Sequence, residues 1–386
     1  MFAADELTFT GGLITDAVRA AGVEGDGLTP PAGVGIWPGA TNLVTQSIPG
    51  ATAGTGVTLA GAAEATLTKV ADAAAPFQAS STDVWLLDNS AGATDATVDF
   101  AGNATAAAHT GSAWARAIVG SPTVSIEGGG TPTVIAVSAA YARYSQSRTA
   151  TAGDNLRITA PAGAVVRFTA GQLETGSIAT PFIVTDGGTA SRVDGRVQQT
   201  TAGLFTSTQG WVYARLKYPQ ASTGMPAAAE AYVFSWRTDN NNRIGFSYFG
   251  GSQRWQATKL ASGAGTGLNS NATFAANTGA STLLAWTATH LRFSADGAAF
   301  TQVANTSAPT VPASVDIGNF ANLAQMDGNV LWYVTGSGVV TDADSAALNA
   351  FGDTPPTPAA LKSSLSMQAQ PTSLWQAVDN TFTRIL

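Results

Sequence analysis

The chain has 386 residues, of which 45% are hydrophobic and only 11% charged, with no cysteine and a formal net charge of −7. No Lys/Arg cluster stands ready to neutralise phosphates, which argues against nucleic acid as a partner. No apolar run reaches the roughly 18–20 residues that a membrane helix needs, and the absence of Cys excludes disulfides and thiolate metal sites.

Length alone predicts two to three domains. With so few charges, the surface must be covered by Ala, Thr, Ser, Gly and Asn. The 42 glycines and 17 prolines are spread along the chain, as many turns require. No window holds a sustained helical period, so the expected class is all-β. The opening MFAADELTFTGG lacks the basic and apolar regions of a secretory signal, which predicts a chain made in the cytoplasm without a signal peptide and able to work later outside the cell.

Residues 1–37 are weakly patterned and end in TPPAGVGIWPG. They read as an extended arm that docks on another chain. Over 38–187, short β-branched runs follow one another: TGVTLAG, ATLTKVA, DVWLLDN, ATVDFAG, AWARAIVG, PTVSIEGG, PTVIAVSAAYARYS, NLRITAP and AVVRFTAGQLE. Their spacing of about ten residues, with Gly, Pro, Asn or Asp between them, predicts an antiparallel sandwich. Residues 188–200 read as a linker. A second series over 201–353 includes GWVYARLKYP, EAYVFSWRTDNNNRIGFSYFG, QRWQATKLAS, HLRFSADG and GNVLWYVTGSG, closing on a short helix in VVTDADSAALNAFG. There Thr341 or Asp342 is the expected cap and Gly352 the stop. The Pro-rich stretch DTPPTPAAL opens a tail, 354–386, expected to run extended and to pack on a surface. The predicted architecture is two tandem antiparallel β-sandwiches, or jelly rolls, between an N-terminal arm and a C-terminal tail.

Three stretches carry a resemblance. ATNLVTQS at 40–47, VWLLDNSAG at 84–92 and GQLETGSIATPFIVTDGGTASR at 171–192 resemble landmarks of a phage structural-protein module similar to carbohydrate-binding modules. Ala40, Phe182 and Val184 depart from the usual Arg, Tyr and Pro of that pattern. The second series is similar to concanavalin A-like, laminin-G-like lectin domains. Together these imply a virion-surface spike or fibre that binds host polysaccharide, attaches to other virion proteins through its arm, and forms a homo-oligomer. A purely structural decoration or connector protein is the alternative, and a depolymerase the third reading.

Catalysis is not expected. Glycoside hydrolysis needs two carboxylates on one face, and after residue 200 the only Glu is Glu230, while Asp239, Asp296, Asp327 and Asp342 fall in turn sequences. His109 and His290 lie in different predicted domains. Cofactors are expected to be absent. Asp239 with Asn240–Asn242 supplies oxygen donors of the kind calcium takes, but an Asn-rich hairpin turn explains the same residues. Trp211, Trp236, Trp286 and Trp332 read as core. Trp255, with Tyr248, Arg254, Asn240 and Asn242 around it in sequence, is the predicted glycan site: a flat ring for stacking, and amides and a guanidinium for hydroxyls.

Overall fold

The computed structural model describes residues 7–10, 24–25, 34–36, 39–50, 56–76, 83–102, 104–126, 134–176, 179–192, 195–200, 206–219, 221–225, 230–312, 314–320, 324–326, 328–366, 369, 371–378 and 381–384. The fold is all-β with antiparallel sheets. It divides into two compact units, Gly39–Val193 with Val18–Gly27, and Asp194–Leu386 with Met1–Ala17 and Leu28–Pro38.

The first unit is a sandwich of two five-stranded sheets. One runs Ile135–Ala136, Thr123–Ile126, Leu156–Ala160, Ala96–Phe100, Val57–Gly61; the other runs Ala142–Thr149, Ala108–Val119, Val165–Thr175, Asp83–Asp88, Thr66–Ala71. Alternation decides which side chains go inward. Leu156, Ile158 and Ala160 face Ala113, Ala115, Val166 and Phe168 across the core, around a Trp85–Phe100–Phe168 aromatic cluster with ring centroids 5.5–5.7 Å apart.

A bulge interrupts the strand Val165–Thr175 between Thr169 and Gln172. Ala170 there takes a left-handed φ of 55°. Gly171 packs so close to Phe100 that a Cβ would meet the ring at 2.3 Å. The extra residue reverses the alternation: Arg167 and Thr169 face away from the core before it, Gln172 and Glu174 after it, and Leu173 returns inside.

The second unit packs a seven-stranded sheet on an eight-stranded one. Their shared core holds Phe234, Trp236, Ile244, Phe246, Trp286, Phe293 and Tyr333. The far side of the eight-stranded sheet is covered by helices α1 (Asp342–Ala350) and α2 (Pro358–Ser364), which bury Trp211, Tyr213 and Trp332 in another core. Thr341 caps α1 in a reciprocal box with Asp344.

Three expectations are corrected. The described strands of residues 1–37 do not stand apart as an arm: Leu7–Thr10 pairs with Arg196–Thr200, Glu24–Gly25 with Phe182–Ile183, and Val34–Ile36 with Gly328–Gly336. Within 188–200, Ala190–Arg192 pairs with Ala40–Asn42 and Arg196–Thr200 with Ser314–Ile317, so the join is shorter than the predicted linker. In 354–386 the chain is not extended throughout, because a helix interrupts it before it runs on as strands. Pro358 sits at the start of α2, where its missing N–H costs nothing, and Pro371–Val378 and Thr381–Arg384 extend the eight-stranded sheet.

Candidate functional site

The structure does not assemble the predicted glycan site. Trp255 and Tyr248 are 1% and 0% exposed. They point into the second core, with ring centroids 5.1 Å apart and Phe274 at 5.8 and 4.9 Å from them respectively. Neither ring offers a platform. Arg254 does lie on the outer side of the sheet, but opposite Phe249 at one end of the hairpin, whereas Asn242 pairs with Asp239 at the other. Seven residues of strand, about 23 Å, separate the two ends.

Asn240 accepts from Arg237 Nη1 at 3.0 Å, and Asp239 accepts from the backbone N–H of Asn241 and Asn242 and from the Asn242 amide at 2.7–3.2 Å. The Asn242 amide and the Asn241 N–H hold the Asp239 carboxyl below its ordinary pKa. The residues considered for calcium are thus spent on closing the turn. Among the described residues no group of three or more His, Cys, Asp or Glu gathers around one point. The described ring bonds of His109 and His290 are local: His109 meets Ala107 O and accepts from Thr105 N–H, and His290 meets Thr289 Oγ1.

The opening and closing motifs of the first sandwich lock onto each other. Asn42 donates to Gly171 O and Ile183 O and accepts from the N–H groups of Val44 and Leu173, all within 2.9–3.2 Å. Glu174, buried, accepts from Thr180 N, Thr180 Oγ1 and Gln172 Nε2 at 2.7–2.9 Å. Burial pushes its pKa up, against the Thr180 and Gln172 hydrogen bonds and the charge of Arg143. These side chains are structural fasteners. A nearby open depression of about 410 Å³ is lined by Leu43, Thr45, Ala101, Gly102, Asn155 and Thr189, with no ionisable group among them.

Aromatic and charged side chains collect instead on the outward face of the sheet containing Ala108–Val119. Because Ala113 and Ala115 turn into the core, Trp114 and Arg116 turn outward. Register then places Arg167 beside Arg116, and Thr169 and Arg143 on either side of Trp114. Asp72, just beyond the strand Thr66–Ala71, meets this row. Its Oδ2 accepts from Arg116 Nη2 at 2.7 Å, Arg167 Nη1 at 2.9 Å and Tyr141 Oη at 3.0 Å, while Oδ1 accepts from Ala74 N at 3.1 Å.

The Arg116 guanidinium lies 5.0 Å from the Tyr141 ring centroid, within cation–π range. Burial works to raise the Asp72 pKa, but the Arg167, Ala74 and Tyr141 hydrogen bonds and the Arg116 charge hold it below the ordinary value. Burial and the Asp72 carboxylate push the Tyr141 phenol up. The acid is 5% exposed against 24% and 27% for the arginines, so solvent meets two cations above one sunken anion.

Sequence reading passed over these residues. The usable signal was alternation: in AWARAIV every second residue is Ala or Val, which leaves Trp114 and Arg116 for the other side. Asp72 carries no local signal at all, since register alone brings it to the arginines.

No protein-family model matches the chain, and no curated protein is significantly similar to it. Among solved structures, it is similar to the native heptameric SAP-like pentraxin from Limulus polyphemus, at 10% identity and a TM-score of 0.34, over 49% of this chain and 85% of that one. It is also similar to domains LG4-5 of the mouse laminin alpha1 chain, at 9% identity and a TM-score of 0.26, over 62% of this chain and 85% of that one. Both likenesses are too remote to carry an argument about function. The class that the fold itself defines is an all-β protein of antiparallel sandwiches.

Proposed function

We propose that this chain is a non-enzymatic recognition protein of a phage-type particle surface, holding host glycan on the outward sheet face of its first sandwich. The observation that supports this reading is the row of half-buried Trp114, Arg116, Tyr141 and Arg167 on that face. Aromatic rings suit the apolar faces of sugars, and guanidinium forks donate to their oxygens.

One such open site binds weakly, with Kd on the order of 10⁻⁴–10⁻³ M. Many copies on one particle would then supply avidity, since a second contact by a tethered partner is intramolecular. Retention of the purified chain on immobilised host polysaccharide tests the reading, with reducing ends assayed in parallel. Retention that falls in Trp114→Ala, with no reducing ends released, is the expected result. Release of reducing ends would replace it with the depolymerase reading. No retention by either the chain or whole particles would leave the connector role.

A further inference from the structure

The charge balance of the face has a consequence for which glycan it selects. Arg116 and Arg167 spend one described bond each on Asp72, and their Nε–H groups are buried with no partner. Each guanidinium has five donors in a planar fork. Asp72 cannot satisfy two forks, because its Oδ2 already takes three donors and its Oδ1 is fixed on the Ala74 N–H. The trio therefore keeps one uncompensated positive charge at a quarter-exposed surface, with two Nε–H donors unmet beneath it.

The protein as a whole carries a formal net charge of −7, so a polyanion gains nothing from general attraction and must be held locally. A planar carboxylate matches a guanidinium fork at two points, which a hydroxyl cannot do. Asp72 is already such a partner, and it fixes the orientation in which the two arginines stand side by side.

We infer that the Arg116–Arg167 pair selects acidic sugars, taking the carboxylate of a uronate residue while Trp114 and Tyr141 lie against its ring. This inference rests on the glycan-binding reading above. Its test is the affinity of the full chain for polygalacturonate, for fully methyl-esterified polygalacturonate and for dextran sulfate, alongside retention on host polysaccharide.

The acidic polymer is expected to bind about tenfold more tightly than its ester, the scale of a charge-assisted pair of bonds. Arg167→Lys keeps a cation beside Asp72, and so the fold, but loses the fork. It should abolish the preference for the acid while leaving the unfolding midpoint in place. Trp114→Ala should weaken both polymers together. Equal binding of acid and ester, or a preference that survives Arg167→Lys, overturns the inference and leaves glycan binding intact. Retention on host polysaccharide without binding to polygalacturonate does the same. Binding to dextran sulfate at least as tight as to polygalacturonate, and unaffected by Trp114→Ala, would mean simple charge attraction and overturn it too. Failure to bind any of the polymers, host polysaccharide included, removes the underlying reading as well.

Discussion

Lys259 is fully buried, and among the described residues its ammonium meets carbonyls: it donates to Thr287 O at 2.7 Å and Asn305 O at 3.5 Å, while the Asn305 amide donates to Lys259 O at 2.8 Å. Burial lowers its pKa from 10.5 to about 8. Below about pH 8 both folded and unfolded chains are protonated there, and the fold bears the whole cost of a buried charge. Between about 8 and 10.5 the folded chain binds fewer protons, so stability rises with pH across that window. Lys259→Met should therefore stabilise by about 1–2 kcal/mol at pH 7. That advantage should shrink by up to about 3 kcal/mol towards pH 10.5 and end as a deficit, because two carbonyls lose their donor. Urea unfolding of both proteins at pH 7, 8.5 and 10 checks the sign; a pH-independent difference would exclude Lys259 as the titrating group. Trp255→Ala is a residue of the other kind. It empties a packed aromatic core and should cost about 3–5 kcal/mol, read as a lower denaturation midpoint, whereas Asn240→Ala at its exposed turn should be close to neutral. The polar flanks of Trp255 suggested a surface ring, yet in an alternating strand Arg254 and Gln256 outside are what an inward Trp255 requires.

Among the elements, α1 carries a test of capping. Asp344 closes the box with Thr341 and also accepts from Ser366 N and Oγ, so one carboxylate ties the helix start to the segment after α2. Burial acts to raise its pKa, but the Ser366 and Thr341 bonds hold it below 3.8. The contribution is then complete above the unfolded value and is lost as pH falls through the folded one. Thr341→Ala should cost about 1 kcal/mol and leave the acid limb in place. Asp344→Asn should cost more and flatten the stability profile below pH ~4; equal acid limbs in both variants would contradict this role. This helix was legible because its cap, its acidic first turn and Gly352 all lie within a dozen residues. The strands of the two sandwiches were legible for the same local reason, in β-branched runs such as LRITA and HLRFS. Leu7–Thr10 and Val34–Ile36 were not, because three or four residues show no period and their partners lie far along the chain. The candidate face was hidden similarly, assembled by register from Asp72, Trp114, Tyr141 and Arg167.

At the scale of the whole molecule, neither unit is one continuous stretch of sequence. Among the described residues, a fragment of residues 39–193 lacks only the short pairing of Glu24–Gly25 with Phe182–Ile183, and it should fold. A fragment of residues 194–386 lacks two pairing strands, and it leaves the Arg196–Thr200 edge bare. Bare edges invite pairing with other chains. The second fragment is expected to melt lower than the same unit in the full chain and to self-associate, as size-exclusion chromatography and thermal unfolding would show. A monomeric fragment with an unchanged melting temperature would mean that the two leader strands contribute nothing.

The order of synthesis runs against the order of assembly. Val34–Ile36 is made early, yet its sheet partner begins at Gly328. At about 5–20 residues per second, the wait on the ribosome is on the order of 15–60 s. During that interval the first sandwich has all its long strands and can close, and Leu7–Thr10 and Glu24–Gly25 meet their partners, while Val34–Ile36 remains unclaimed. A neighbouring nascent chain that has already made Gly328–Gly336 competes for it, so strand exchange between copies is built into the timing of translation. Refolding at rising protein concentration should then shift the product from monomer to exchanged oligomer, as size-exclusion chromatography of the refolded chain would show.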